Sequence, residues 1–407
     1  MPKIALNIIV KNESHIINRM LESVRPVIDL IVAVDTGSTD NTIVLIKEFG
    51  QKYQLPTFVF ERPFDNFCNS RNYAMDMLLK VAEQLKLATE QVWGLIIDCD
   101  DTLMISPQFQ KDQLCKDLYH LIVRQGSLTY RRNGLFRLSG QLRWESPVHE
   151  FLVSKKSSAT VANFDNLYIN EEYNGASWKG DLEKKYLNYA QLLTEYLEEG
   201  HEDYRTLFYT GSSYQMAATK SKSKTRSREH CLAANKYFEM AFAIKKLAVD
   251  EKIALSSLLA KNKCLLGEEW QEQKCLLLNA YCIDPKRGES IAIILSYYIS
   301  MKQWNIAYLF SYFGDKMYSG NKPTGNIIGI TDTSLYQWTF LHLHTICTYM
   351  SGKPKEAKLL RTKLRAYLLT HRSTLSLDDV FQIQSSTLIQ LSLRYRKMKI
   401  GRFFRIG

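Results

Sequence analysis

Apolar and polar positions along this chain follow two rhythms, and the change between them divides it. In the first part, short and nearly uninterrupted apolar runs alternate with stretches of helical spacing. Ile4-Ala5-Leu6-Asn7-Ile8-Ile9-Val10, Leu30-Ile31-Val32-Ala33-Val34, Thr57-Phe58-Val59-Phe60 and Val92-Trp93-Gly94-Leu95-Ile96-Ile97 are the runs. Segments this short and this apolar read as strands covered on both faces. Helical spacing lies between them, from Glu13 to Val24, around Ile43-Val44-Leu45-Ile46, and from Cys68 to Leu87. Strands alternating with helices predict an α/β fold, a mostly parallel Rossmann-like sheet with right-handed crossovers.

After Ile97 the rhythm shortens. Leu118 to Val123, Ser127 to Arg132 and Leu135 to Leu138 are β-like runs split by Gly126 and Gly134, and Val148 to Val153 follows Pro147. These predict an antiparallel addition to the sheet. From Asp181 onward Tyr, Leu, Ala and Lys recur at helical spacing as far as Leu393. Ala234-x3-Phe238-x2-Ala241 has the small–aromatic–small spacing of a tetratricopeptide second helix. Ala280 with Asp284-Pro285, then Tyr298 and Ala307, continue the pattern, and Cys264 and Tyr298 stand one repeat period apart. Trp270, Trp304 and Trp338 recur at the same spacing and read as packing between helices. The run Lys220 to Arg228, basic at every second position, falls where a first repeat should turn, and an exposed, mobile insertion is expected there. The organisation expected is an α/β domain over 1–178, an all-α TPR-like domain over 179–393 and a basic tail over 394–407.

Composition narrows the setting. A 45% hydrophobic content suits a globular protein, and no apolar run approaches the ~18 residues that span a bilayer. The chain enters a strand-like run at Ile4, so no signal peptide is expected. Its 8 cysteines show no paired or metal-ligand spacing and read as reduced thiols, so a cytoplasmic protein is expected. The Asn12-Glu13-Ser14 sequon is then a coincidence. A net charge of +11 points to an anionic partner, for which nucleotide diphosphates, membrane surfaces and nucleic acid all qualify. The tail from Arg394 to Arg405 interleaves basic residues with aromatics and suits peripheral contact with an anionic membrane; no nucleic-acid-binding module accompanies it.

Chemistry gathers at strand ends. Lys11-Asn12-Glu13 follows the first strand, Asp35 ends the second, and Asp98-Cys99-Asp100-Asp101 follows the fourth. Ligands of open α/β sheets bind at the carboxyl ends of the strands. Strand-end carboxylates can accept from a ribose diol or a base N–H, and an acid cluster there can hold Mg²⁺ or Mn²⁺ with substrate phosphates. Asp40 reads as a helix N-cap.

Leu6-x-Ile8-Ile9-Val10-Lys11-Asn12-Glu13, Asp35-Thr36-Gly37-Ser38-Thr39-Asp40-Asn41-Thr42, Phe67-x3-Arg71-Asn72 and the acid cluster together resemble family 2 glycosyltransferases of the GT-A fold. The resemblance covers residues 3–153 and is nearest to the "DTGSTDNT" branch, several of whose members carry TPR-like repeats behind the catalytic domain. It implies a metal-dependent, inverting transfer from a nucleoside-diphosphate sugar, most simply a UDP-sugar, to a glycan, lipid-linked glycan or peptide. It implies that Asp35, with Asn12, Glu13, Arg71 and Asp98, binds the donor, and that Asp98 and Asp100 form the DXD motif around the cation. The branch ends a strand in His-Glu, which makes Glu150 the first candidate for general base and Asp101 the second, with His149 completing the metal shell or holding a phosphate. Arg131, Arg132, Arg137 and Arg143 lie close by in sequence; alternate ones could face a diphosphate or an anionic acceptor, but most read as solvated edge charges. The helical part suits acceptor recognition, self-association or a buttress. Two other readings compete: a nucleotidyltransferase, which would want a glycine-rich basic loop where Lys11-Asn12-Glu13-Ser14 stands, and a degenerate domain serving a TPR-type scaffold.

Overall fold

The computed structural model describes residues 1–125, 128–155, 158–172, 174–321 and 331–372, with Leu375, Asp379, Val380 and Ile383. The basic tail over 394–407 lies outside the described residues. Two compact units are present, Met1–Gln125 with Tyr130–His230, and Gly126–Thr129 with Cys231–Gly407.

The first unit is built on one sheet. Its elements are β1 (Lys3–Val10), α1 (Ile17–Val24), β2 (Leu30–Asp35), α2 (Thr42–Tyr53), β3 (Thr57–Glu61), α3 (Phe67–Gln84), β4 (Val92–Leu95), β5 (Thr102–Ile105), β6 (Leu118–Gln125), β7 (Leu128–Arg137), β8 (Leu142–Glu145), β9 (Phe151–Ser154) and β10 (Val161–Asn170), followed by α4 (Leu182–Glu198) and α5 (Tyr204–Lys220). The strands run in the order β3-β2-β1-β4-β7-β6-β10-β5. β3, β2, β1 and β4 are mutually parallel, β7 pairs antiparallel with β4, and β5 antiparallel with β10. The mostly parallel sheet with an antiparallel addition is therefore as the alternation predicts. β8 and β9 form a separate hairpin.

Apolar cores lie in two layers. Ile17, Met20, Leu21 and Val24 of α1, with Ile46 and Phe49 of α2, pack with Leu6, Ile8 and Ile31. Met75, Met77, Leu78 and Val81 of α3 pack with Ala5, Val32, Phe136 and Trp144. Burying each such side chain contributes about 1.5–3 kcal/mol, which fixes the register of β1, β2 and β4 and so the height of their carboxyl ends.

Two local expectations change. Gly134 does not split a strand but lies inside β7, where a Cβ would stand 2.1 Å from Leu121 Cγ. The glycine marks close packing, not a break. The basic run at 220–228 is mostly exposed, as expected, but is no insertion: it forms the turn after α5 and the first residues of α6 (Lys224–Phe242).

The second unit takes in the rest of α6 and then α7 (Val249–Leu266), α8 (Trp270–Ile283), α9 (Glu289–Ser300), α10 (Trp304–Tyr318), α11 (Phe340–Met350) and α12 (Pro354–His371), with each helix from α7 onward packed on the next. Ala234, Phe238 and Ala241 are fully buried, as are Ala307 and Leu277. Trp270 stacks on Tyr297 with ring centroids 3.6 Å apart, and Trp338 is buried against Leu364 and Leu368. Among the described residues no helix is long and apolar enough to cross a membrane.

Candidate functional site

Since β2 and β4 both flank β1 in parallel, the segments leaving β1, β2 and β4 emerge at one edge of the sheet. The first two are knitted together by the sequence that follows Asp35. Asn12 N–H donates to Ser38 Oγ at 3.0 Å, Glu13 N–H to Thr42 Oγ1 at 2.8 Å and Ser14 N–H to Asp40 Oδ2 at 3.0 Å, while Thr39 N–H donates to Asn12 Oδ1 at 2.7 Å. Asp40 also accepts from Thr42 N–H, so it caps the start of α2 from one residue before the N-cap position. Those bonds draw its carboxyl down to about 2 despite some desolvation. Asn12 has φ 56°, a left-handed conformation that Asn tolerates, and Gly37 has φ 107°.

Asp35 is buried at the end of β2. Its Oδ2 accepts from Gly37 N–H at 3.1 Å and Ser38 N–H at 2.9 Å, and its Oδ1 is buried with no hydrogen-bond partner. A buried acceptor left unmatched costs about 1–3 kcal/mol.

The acids after β4 are bound to arginines. Asp98 Oδ1 accepts from Arg71 Nη2 at 2.9 Å and its Oδ2 from Arg132 Nη1 at 3.2 Å. Desolvation would raise Asp98, but Arg132 and Arg71 hold it down at about 2. Arg71 Nε also donates to Glu150 Oε1 at 2.5 Å, and its guanidinium lies 5.3 Å from the Trp144 ring centroid. Arg132 Nη2 donates to Asp101, and Arg132 Nη1 stands 3.8 Å from Glu171 Oε1, which also accepts from Tyr130 OH at 2.8 Å. Asp101 is 1% exposed. Burial pushes it up to about 7, with the Asp98 and Asp100 charges adding and Arg132 opposing.

Asp100 differs from its neighbours because no guanidinium is bonded to its carboxylate. Its Oδ2 accepts from Gly175 N–H at 3.2 Å, and burial and the Asp98 charge raise its pKa. Glu13 faces the same segment, accepting from Ala176 N–H at 3.2 Å, and burial and the Asp100 charge raise it too. Excess negative charge at Asp100, offered by hard oxygens, fits a divalent cation. Asp98 fits less well, since both its oxygens are engaged. Among the described residues no three His, Cys, Asp or Glu side chains form a ready-made cage, so an ion at Asp100 would draw its remaining ligands from phosphates and water.

Glu150 stands in the turn between β8 and β9 rather than inside a strand, with Ser146 (φ 71°) and His149 (φ 52°) bending the backbone. His149 is not brought to the acids. Its ring stacks on Tyr209 at 4.1 Å and meets Tyr189 edge-on at 6.1 Å, and Arg205 Nη2 donates to its carbonyl at 2.9 Å. Burial, then Arg205 and Lys185, lower it to about 4. An imidazole among rings and cations suits packing better than a metal shell.

Of the residues read from the sequence, Arg71, Asp98, Glu150 and Asp101 thus join one ion-pair chain, Asp100 and Glu13 interact electrostatically, and Asn12 and Asp35 meet through the Ser38 loop. Sequence reasoning named Arg132 only among arginines read mostly as edge charges, and missed Tyr189 and Lys185 on α4 and Arg205 and Tyr209 on α5. Lys185 Nζ lies 3.7 Å from the Trp178 ring centroid, and burial lowers it to about 8 while Asp100 raises it. No local motif marks these helical residues.

No protein-family model matches the chain. A TPR repeat-containing protein of Synechococcus elongatus is 27% identical over 160 residues, 37% of this chain and 36% of that protein. Uncharacterised glycosyltransferases of Rickettsia felis and Rickettsia prowazekii are 29% and 31% identical over 103 residues, 25% of this chain and 30% of each relative. The chain thus spans about a third of the length of the curated relatives it matches. The crystal structure of S. aureus TarS 1–349 in complex with UDP-GlcNAc aligns with 67% of this chain and 90% of its own, at 12% identity and a TM-score of 0.35, a likeness too slight to bear on substrates. Over part of its length the chain is thus similar in sequence to glycosyltransferases and to a TPR-repeat protein, and its α/β region is followed by a helical region.

Proposed function

We propose that the α/β unit is a nucleotide-sugar glycosyltransferase that transfers with inversion from a UDP-sugar to a glycan, lipid-linked glycan or peptide acceptor. The observation that carries this reading is the unmatched Oδ1 of Asp35, a buried acceptor on the sheet edge that also bears Asp98 and Asp100. A ribose hydroxyl or a base N–H would satisfy it.

In this reading Asp35 orients the nucleoside, and the Asn12–Ser38–Thr39 bonds hold the loop that presents it. Arg71, anchored on Asp98 and Glu150, lends positive charge to the diphosphate side of the site. A divalent ion held by Asp100 would act when bound as a Lewis acid on the leaving diphosphate. Glu150 receives the proton of the acceptor nucleophile, and Arg71 fixes the orientation of that carboxylate. Asp101 is less suited, being sealed under Arg132.

The test is a panel of nucleotide sugars assayed for nucleoside diphosphate release with Mn²⁺ and with EDTA, alongside calorimetric titration with UDP. Release from one UDP-sugar, suppressed by EDTA and lost in Asp100→Asn, is expected. No release from any donor together with no heat of UDP binding would end the proposal.

A further inference from the structure

We infer that Arg132 is a positioning residue of this site: it fixes Asp98, and through Asp98 fixes Arg71 and Glu150, so that residues from separate elements present one array of charges to the donor. The inference rests on the glycosyltransferase reading for what the array is for, but not for its existence.

The chain of contacts runs from Glu171, just past β10, to Arg132 on β7, to Asp98 and Asp101 after β4, to Arg71 on α3, to Glu150 before β9. Arg132 is its branch point. Nη1 is shared between Asp98 and Glu171, and Nη2 goes to Asp101. A planar fork aims its donors along fixed directions, whereas an ammonium is a point charge on a flexible stem and holds its partners in no set orientation. The neighbouring Arg131 shows what an edge charge looks like, since its partner Asp165 is 67% exposed. Asp98 is 44% exposed, so packing alone does not confine its half-buried carboxylate. Its direction is set by the two guanidiniums, one on each oxygen. Removing Arg132 therefore takes away one of the two anchors of Asp98, which is left on Arg71 alone, and Arg71 is then aimed by a carboxylate free to rotate about that one bond.

A plainer role is also open to Arg132, that of neutralising the buried Asp101 and nothing more. Arg132→Met with Asp101→Asn separates the two, because both charges are removed together. Under the plainer role the double variant matches wild type in UDP affinity and in kcat/KM. Under the positioning role its thermal stability returns to near the wild-type value, yet UDP affinity and kcat/KM fall by at least about tenfold, the loss expected for a charge-assisted bond. Arg132→Lys keeps the charge without the fork and is expected to fold, with kcat reduced more than KM is raised. Wild-type affinity and turnover in either variant overturn the proposal. So does failure of both to fold, which would make Arg132 a residue of the fold alone. If the wild-type protein itself binds no UDP, the glycosyltransferase reading fails instead. The positioning claim is then read from a crystal structure of the Arg132→Lys protein, where an unchanged Arg71–Asp98–Glu150 chain would refute it.

Discussion

Replacing Arg71 with methionine tests whether the site is held by desolvated ion pairs or merely decorated with them. Arg71 and Glu150 are each 12% exposed and 2.5 Å apart, so methionine strands an ionised carboxylate with little water to compensate it. Deleting one partner of a buried pair costs about 3–5 kcal/mol. Asp98 loses a bond as well, but at 44% exposure and still held by Arg132 its share is about 0–1 kcal/mol. Arg71→Met should therefore destabilise the α/β unit by about 3–5 kcal/mol, a fall in Tm of about 6–20 °C for a unit of this size. Adding Glu150→Gln removes the stranded charge, and the double variant should regain at least about 2 kcal/mol, since uncharged replacements for a buried pair are often close to neutral. Glu150→Gln alone leaves Arg71 bonded to Asp98 and should cost about 1–3 kcal/mol. Differential scanning calorimetry on all members of the cycle, with the transitions of the two units resolved, supplies the numbers. An Arg71→Met protein within about 1 kcal/mol of wild type, or a double variant no more stable than Arg71→Met, would show that this pair is not desolvated and that Glu150 is not aimed by it.

Asp35→Asn should leave Tm nearly unchanged, because the Gly37 and Ser38 bonds can still be accepted by the amide oxygen, while UDP affinity drops at least about tenfold; unaltered calorimetric affinity would remove Asp35 from the donor site. Gly134→Val places its Cβ against Leu121 between β6 and β7 and should cost about 1–3 kcal/mol, so a thermal melt matching wild type would contradict that close approach. His342 on α11 is lowered by burial from 6.5 to about 4. Between those values the unfolded chain takes up a proton that the folded helical unit refuses, so this stability is complete above pH 6.5 and declines as pH falls to 4, by up to about 3 kcal/mol. Melts of the helical unit from pH 7 to 4 should show that slope, and a His342→Leu protein with an identical slope would trace it elsewhere.

The sheet was legible because burial on both faces leaves almost no choice of residue. Ile4 to Val10 and Leu30 to Val34 are apolar runs that a surface helix could not use, and they are the strands whose ends carry the site. Gly134 was misread because a glycine in a strand has two physical meanings, a break or a neighbour that comes too close, and only the position of Leu121 decides between them. The run at 220–228 misled in a similar way: its charge density correctly forbids burial, but an exposed helix start satisfies that constraint as well as a loop does.

The site divides along a comparable line. Asp35, Asn12 and the acids after β4 could be named because strand ends in a parallel sheet share an edge, which is a consequence of topology alone. What those acids are bonded to depends on side chains arriving from β7, α3, α4 and α5, whose sequence positions bear no fixed relation to the edge. Arg131 and Arg132 are adjacent and chemically identical, yet one pairs with an exposed Asp165 and the other branches among Asp98, Asp101 and Glu171. His149 and Glu150 are adjacent too, and the left-handed backbone at His149 sends the ring among Tyr189 and Tyr209 while Glu150 reaches Arg71. A motif read as a pair of ligands is thus divided by one backbone conformation. Of the three acids after β4, Asp100 alone has no guanidinium on its carboxylate among the described residues, whereas Asp98 and Asp101 take their direction from arginines that arrive from α3 and β7.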